Sequence, residues 1–242
     1  MQRAGMEHGH SREAIARRLA RPPSVSYLRD WVYGGIDGAV TTFAIVAGVV
    51  GADLSNRVVL ILGLANVVAD GFSMAASNFS GTRTELEEKA HLRRIEERHI
   101  EAVPDGEREE IRQIFRGKGF EGPDLERAVD VITADTRRWV DTMLSEEYGL
   151  PKAVRSPLKA AASTFAAFML CGLVPLLPFL VNAPSSFMLS IAMTAVVFFL
   201  IGSGKSRWSP ASWWRSGFET LAIGMGAAAL AYVLGYGLKT LV

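Results

Sequence analysis

Residues 160–204 read AAASTFAAFMLCGLVPLLPFLVNAPSSFMLSIAMTAVVFFLIGSG, a run of 45 between Lys159 and Lys205 without one charged side chain. A helix crossing a hydrocarbon core of ~30 Å needs ~20 residues at ~1.5 Å each. The run therefore holds two crossings, about Leu158 to Val181 and Phe187 to Ser203, separated by Asn182-Ala183-Pro184-Ser185-Ser186. Working outward, 15 uncharged residues lie between Asp37 and Asp53, and 19 between Glu219 and Lys239. These predict further spans over about Trp31 to Ala52 and Gly217 to Leu238, and an apolar stretch broken only by Asp70 predicts another over about Val58 to Phe79. In contrast, 18 of the 25 acids fall between Arg83 and Arg155. Apolar and charged residues are segregated, which excludes one mixed soluble core. The fold class is an all-α membrane protein: five transmembrane helices with a charged helical insertion between spans 2 and 3.

Four regions follow: an N-terminal segment over 1–29, spans 1 and 2 over 30–80, the insertion over 81–156, and spans 3 to 5 over 157–242. In the first, His10 to Arg21 predicts a short amphipathic helix stopped by Pro22-Pro23. Its arginines suit anionic headgroups. No apolar stretch begins before Trp31, so no secretory signal peptide is expected, which favours a bacterial inner membrane over a vacuolar one. Arg12, Arg17, Arg18, Arg21 and Arg29 precede span 1, and Lys205, Arg207 and Arg215 follow span 4. The alternate loops hold only Arg57. Basic loops stay in the cytoplasm, which places the N-terminus and the insertion there.

The insertion predicts three helices: Thr82 to about Ala102 continuing span 2, a second from near Glu107 capped by Asp105 and ending at Gly117, and a third from Pro123-Asp124 to about Tyr148. A formal net charge of +1 argues against nucleic acid as partner. The single cysteine, Cys171, excludes an intramolecular disulfide and a cysteine zinc site, and its apolar surroundings predict a small buried hydrophobe.

Two sets of residues carry chemistry. A carboxylate at mid-bilayer costs several kcal/mol, so it lines a cavity or finds a partner. Asp37 lies within Gly34-Gly35-Ile36-Asp37-Gly38, where glycines allow close helix approach or local opening. Asn66, Asp70, Ser73 and Met74 fall on one face of span 2. Oxygen ligands with a thioether favour a transition metal over calcium or magnesium. Glu219, at the start of span 5, is read either as a relay or as a helix-start residue. In the insertion, Glu96 and His99 share one helical face, as do Glu107 and Glu110, and Met143 and Glu147. If the three helices pack side by side, these six converge on a metal ion. A lone Glu-x-x-His does not make a di-iron oxidation site, which needs two copies, and no Ser, His and acid arrangement suggests a hydrolase.

Several motifs together resemble the vacuolar iron transporter family. They are Asp37-Gly38 with the apolar run to Gly48, Ala69-Asp70-Gly71-Phe72-Ser73-Met74-Ala75, Val103-Pro104-Asp105 before a cluster of acids, Glu147-x-Gly149-Leu150, and Pro175-Leu176-Leu177-Pro178. The resemblance covers about Tyr27 to Val242. It implies a homodimer, not an enzyme, that carries ferrous iron and often manganese out of the cytoplasm in exchange for protons. It implies a translocation path at Asp37 and Met74, and metal ligands at Glu96, His99, Glu107, Glu110, Met143 and Glu147. His99 stands where the family pattern has glutamate, and Asn66 where some members carry one. An imidazole still binds ferrous iron, but only when neutral. Small-residue faces such as Gly34/Gly38 permit a dimer seam. The rival expectation is a membrane-anchored metal-binding or sensing protein that does not transport.

Overall fold

The computed structural model describes residues 9–20, 25–206 and 210–239, and among them every regular element is helical. Arg21, Pro22, Pro23 and Arg207 lie outside the described residues. The chain forms two units, Ser26–Arg83 with Ser156–Val242, and Thr84–Arg155 with the N-terminal segment to Val25.

The first unit carries five helices long and apolar enough to cross a membrane. They are α2 (Leu28–Gly51), the first part of α3 (Asn56–Ala102), the stretch Pro157–Leu180, α9 (Ser186–Lys205) and α10 (Trp213–Lys239). The stretch Pro157–Leu180 comprises α7 (Pro157–Leu173), a 3₁₀ turn at Val174–Leu176, and α8 (Leu177–Leu180). Pro175 and Pro178 lack the amide protons that a continuous α-helix needs there. The Pro175 carbonyl instead accepts the Ser190 hydroxyl at 2.7 Å.

α2 lies at the centre, packed on α7, α9 and α10. Phe43, Val46, Val59, Leu176, Phe179 and Ala228 close the apolar core. Close approach of α2 to α7 is what the glycines provide. A Cβ on Gly38 would lie 2.5 Å from the Phe168 carbonyl oxygen, and one on Gly34 would collide with the Thr164 carbonyl. The helix stays regular through both, so the local opening that the glycines permitted does not occur. Nor are Gly34 and Gly38 free for a dimer seam, because this chain's own α7 covers them. Cys171 is half-buried rather than buried, with its Sγ beside Gly35.

A buried polar hub ties three helices of this unit. Asn78 of α3 donates to Asp30 of α2 at 2.8 Å and to Thr164 of α7 at 2.7 Å. Asp30 is 3% exposed and Thr164 1%. At such depth an unmet hydrogen bond would cost about 1–3 kcal/mol, so this network fixes helix register.

The second unit contains α1 (Arg12–Leu19), the end of α3, α4 (Pro104–Gly117), α5 (Gly122–Thr133) and α6 (Thr136–Glu146). Ser11 caps α1, accepting from the Ala14 amide at 3.1 Å. α4 starts at Pro104 with Val103 as N-cap; Asp105 is in its first turn and makes no cap. The single helix expected over 123–148 is two. Asp135 accepts from the Arg138 amide at 2.8 Å, so a new helix begins at Thr136. Ile111, Leu125, Val129, Trp139 and Met143 form the unit's core. Arg112 makes a two-pronged pair with Glu126 at 2.7 and 2.9 Å, and Arg108 pairs with Asp130, joining α4 to α5.

Candidate metal centre

Glu96 and His99 stand one turn apart near the end of α3, and Glu107 in the first turn of α4 turns back to meet them. The tight Val103-Pro104 reversal, with Glu107 N donating to the Val103 carbonyl at 3.2 Å, makes that possible. One ligand atom from each of the three lies within 4.8 Å of the others. Among the described residues this is the one such group of three. His99 Nδ1 is 3.4 Å from Glu107 Oε1.

Two carboxylates here are withdrawn from water: Glu96 is 1% exposed and Glu107 5%. Tyr148 donates its hydroxyl to Glu96 Oε1 at 2.8 Å. The other oxygen, Oε2, of both Glu96 and Glu107 is buried without a hydrogen-bond partner. A buried carboxylate oxygen without a donor is unfavourable unless protonated or bound to a cation. The electrostatics agree. Burial, then the charges of Glu110 and Glu96, push Glu107 up to about 7, while His99 opposes them. Burial, then Glu96 and Glu110, also raise Glu147, the C-cap of α6. Burial and the bond to Glu96 hold the Tyr148 phenol above its ordinary range. Two arginines of α4 are turned to other partners, Arg108 to Asp130 and Arg112 to Glu126.

Glu96, His99, Glu107, Glu110 and Glu147 thus form one electrostatically coupled group. Met143, the sixth expected ligand, is fully buried in the apolar core with Ile111 and Trp139. Sequence reasoning missed Tyr148 as a partner. Its signal was position alone, one residue after Glu147. Glu110 and Glu147 are exposed and reach the group of three through charge alone, and the two buried carboxylates with the imidazole suit a divalent transition-metal ion.

In the membrane unit, Asp37 of α2 is half-buried and Asp70 of α3 is exposed, and the two charges interact. Asn66 donates to the Thr41 hydroxyl at 3.4 Å, and Thr41 donates to the Asp37 carbonyl at 2.9 Å. The faces carrying Asp37 and Asn66 therefore look at each other. Met74 is half-buried and Ser73 exposed on α3, and Glu219 is exposed in the second turn of α10.

A family model described as the VIT family matches residues 28–236. The chain belongs to the VIT family. That span takes in both residue sets just described. The chain is 32% identical over 212 residues to "Vacuolar iron transporter 1" of Arabidopsis thaliana, covering 86% of this chain and 84% of that protein. It is 32% identical over 231 residues to "Vacuolar iron transporter" of Toxoplasma gondii, covering 90% and 76%. It is 32% identical over 220 residues to "Vacuolar iron transporter 1" of Oryza sativa, covering 88% and 86%. These VIT family relatives are named as transporters, not as enzymes. With its five apolar helices, this VIT family chain is an integral membrane protein.

Proposed function

We propose that this protein moves ferrous iron, with manganese as a second substrate, out of the cytoplasm in exchange for protons. One observation carries the reading most: two buried glutamates, Glu96 and Glu107, each leave an oxygen unpartnered beside His99. A divalent cation is the group that would satisfy both. The names of the relatives support iron as that cation.

The insertion, on the cytoplasmic side, collects the ion through Glu96, His99, Glu107, Glu110 and Glu147, with Met143 the sixth candidate. Asp37, Asp70, Asn66 and Met74 line the path through the membrane, with Glu219 as a relay near its entrance. Ligands must lose protons to bind metal, so metal and protons compete for the same oxygens. That competition supports exchange: a proton arriving from the far side displaces the ion. Exposed Asp70 supports a homodimer. A carboxylate facing lipid costs several kcal/mol, and a second copy against α3 would cover it.

The test is uptake of ferrous iron and of manganese into proteoliposomes with an imposed pH gradient. Gradient-dependent uptake is expected. Metal bound by the protein but never moved would contradict the reading.

A further inference from the structure

The segment Thr84–Arg155 carries 18 acids against 13 bases, yet one cleft in it has the opposite sign. This cleft, of about 420 Å³, is lined by Lys89 and Arg93 of α3, Arg137 of α6, and Lys152 of the segment after α6. Its one carboxylate, Asp141, is paired with Arg93. Lys89 donates to the Pro151 carbonyl at 2.5 Å, which holds that segment against α3. Arg137 and Lys152 are exposed. Leu86, Leu150 and Val154 give the cleft an apolar wall. No ligand of the candidate metal centre lines it.

Position along the chain narrows the ligand. Leu86 follows Arg83, the last residue of the membrane unit's first segment, by three residues. Val154 precedes Ser156, the first residue of its second segment, by two. Both walls of the cleft are thus joined to the membrane-spanning segments by only a few residues of chain.

We propose that this cleft binds the phosphate-bearing headgroup of an anionic phospholipid. Clustered guanidinium and ammonium groups match a phosphodiester in charge and in hydrogen-bond donors. Basic pockets beside membrane spans on the cytoplasmic side take anionic headgroups, drawn by the negative surface potential of that leaflet. The apolar wall suits the glycerol and the first acyl carbons, which a free phosphate lacks. A bound headgroup would join α3, α6 and the segment before α7.

The test titrates the full-length protein in detergent with dioctanoyl phosphatidylglycerol, dioctanoyl phosphatidylcholine and inorganic phosphate, reading binding by thermophoresis. Phosphatidylglycerol is expected to bind at least tenfold more tightly than phosphatidylcholine, and inorganic phosphate not to displace it. R137E/K152E should lose at least tenfold of that affinity while keeping Mn²⁺ binding, which checks its fold. If charge reversal disturbs the fold, Arg137→Gln should still weaken binding about threefold. Arg127→Glu, outside the cleft, should change nothing. Equal affinity for the two lipids, or binding unchanged in both cleft variants, would overturn the proposal. Displacement by equimolar phosphate would overturn it too, by making a free anion the ligand.

Discussion

The hydroxyl of Tyr148 donates to Glu96 Oε1 at 2.8 Å, while the other oxygen of the same carboxylate is buried without a partner. Tyr148 therefore fixes the direction in which Glu96 presents its free oxygen. Groups that orient a metal ligand in this way typically contribute about ten- to a hundredfold in affinity. Tyr148→Phe should weaken Mn²⁺ binding about tenfold, measured by calorimetry at pH 7.5. Unchanged affinity would mean that Glu96 is not a ligand.

Glu107 is pushed up to about 7 by burial and by Glu110 and Glu96. A metal that binds it near neutrality must expel its proton. Metal binding should release more protons at pH 6.5 than at pH 8. Calorimetry in buffers of different ionisation enthalpy reads that number directly. Affinity should also fall steadily as the pH drops below about 7.

The same shift sets the stability of the metal-free protein. Glu107 is protonated more readily when folded than when unfolded, where an ordinary glutamate titrates near 4.5. Between those values the folded state binds more protons, so stability falls as pH rises from about 4.5 to 7. Below that window there is no effect. Glu107→Gln should raise the melting temperature of the metal-free protein by a few degrees at pH 8, on the order of 1–3 kcal/mol. At pH 4.5 it should change little. Metal should restore wild-type stability at pH 8 and do nothing comparable for the variant.

Gly38 permits the contact between α2 and α7 that positions Asp37. A methyl group there would sit 2.5 Å from the Phe168 carbonyl oxygen, and backbone cannot yield as a side chain can. Gly38→Ala should cost about 1–3 kcal/mol, the usual range for overpacking, seen as a lower melting temperature in detergent. Gly237→Ala, with open space around the same position, is the control.

The spans were legible because bilayer thickness sets their length and charge marks their ends. Four of the observed helices lie within about four residues of the expected spans at both ends, and α3 starts two residues before Val58 and runs on without a break to Ala102. The meeting of Glu96, His99 and Glu107 was legible too, since helical spacing puts the first two on one face and Val103-Pro104 returns the chain. Other features were not. Asp135 starts a new helix with no glycine or proline to announce it, only a capping side chain three residues before the Arg138 amide. Gly34 and Gly38 permitted a dimer seam in the sequence, because spacing cannot say which neighbour a small face meets. Asp30 and Asn78 are 48 residues apart, and nothing local in either shows that Thr164 completes the hub. Met143 fell on the expected face, yet that face also serves the apolar core.

The most direct test of the transport account compares wild type with Asp37→Asn in proteoliposomes, following ferrous iron uptake under an imposed pH gradient. The change removes one of the two carboxylates of the proposed membrane path, Asp70 remaining, and leaves the insertion untouched. Loss of uptake, with Mn²⁺ binding in detergent retained, is the predicted result. Uptake at the wild-type rate by a correctly folded Asp37→Asn protein would contradict the account.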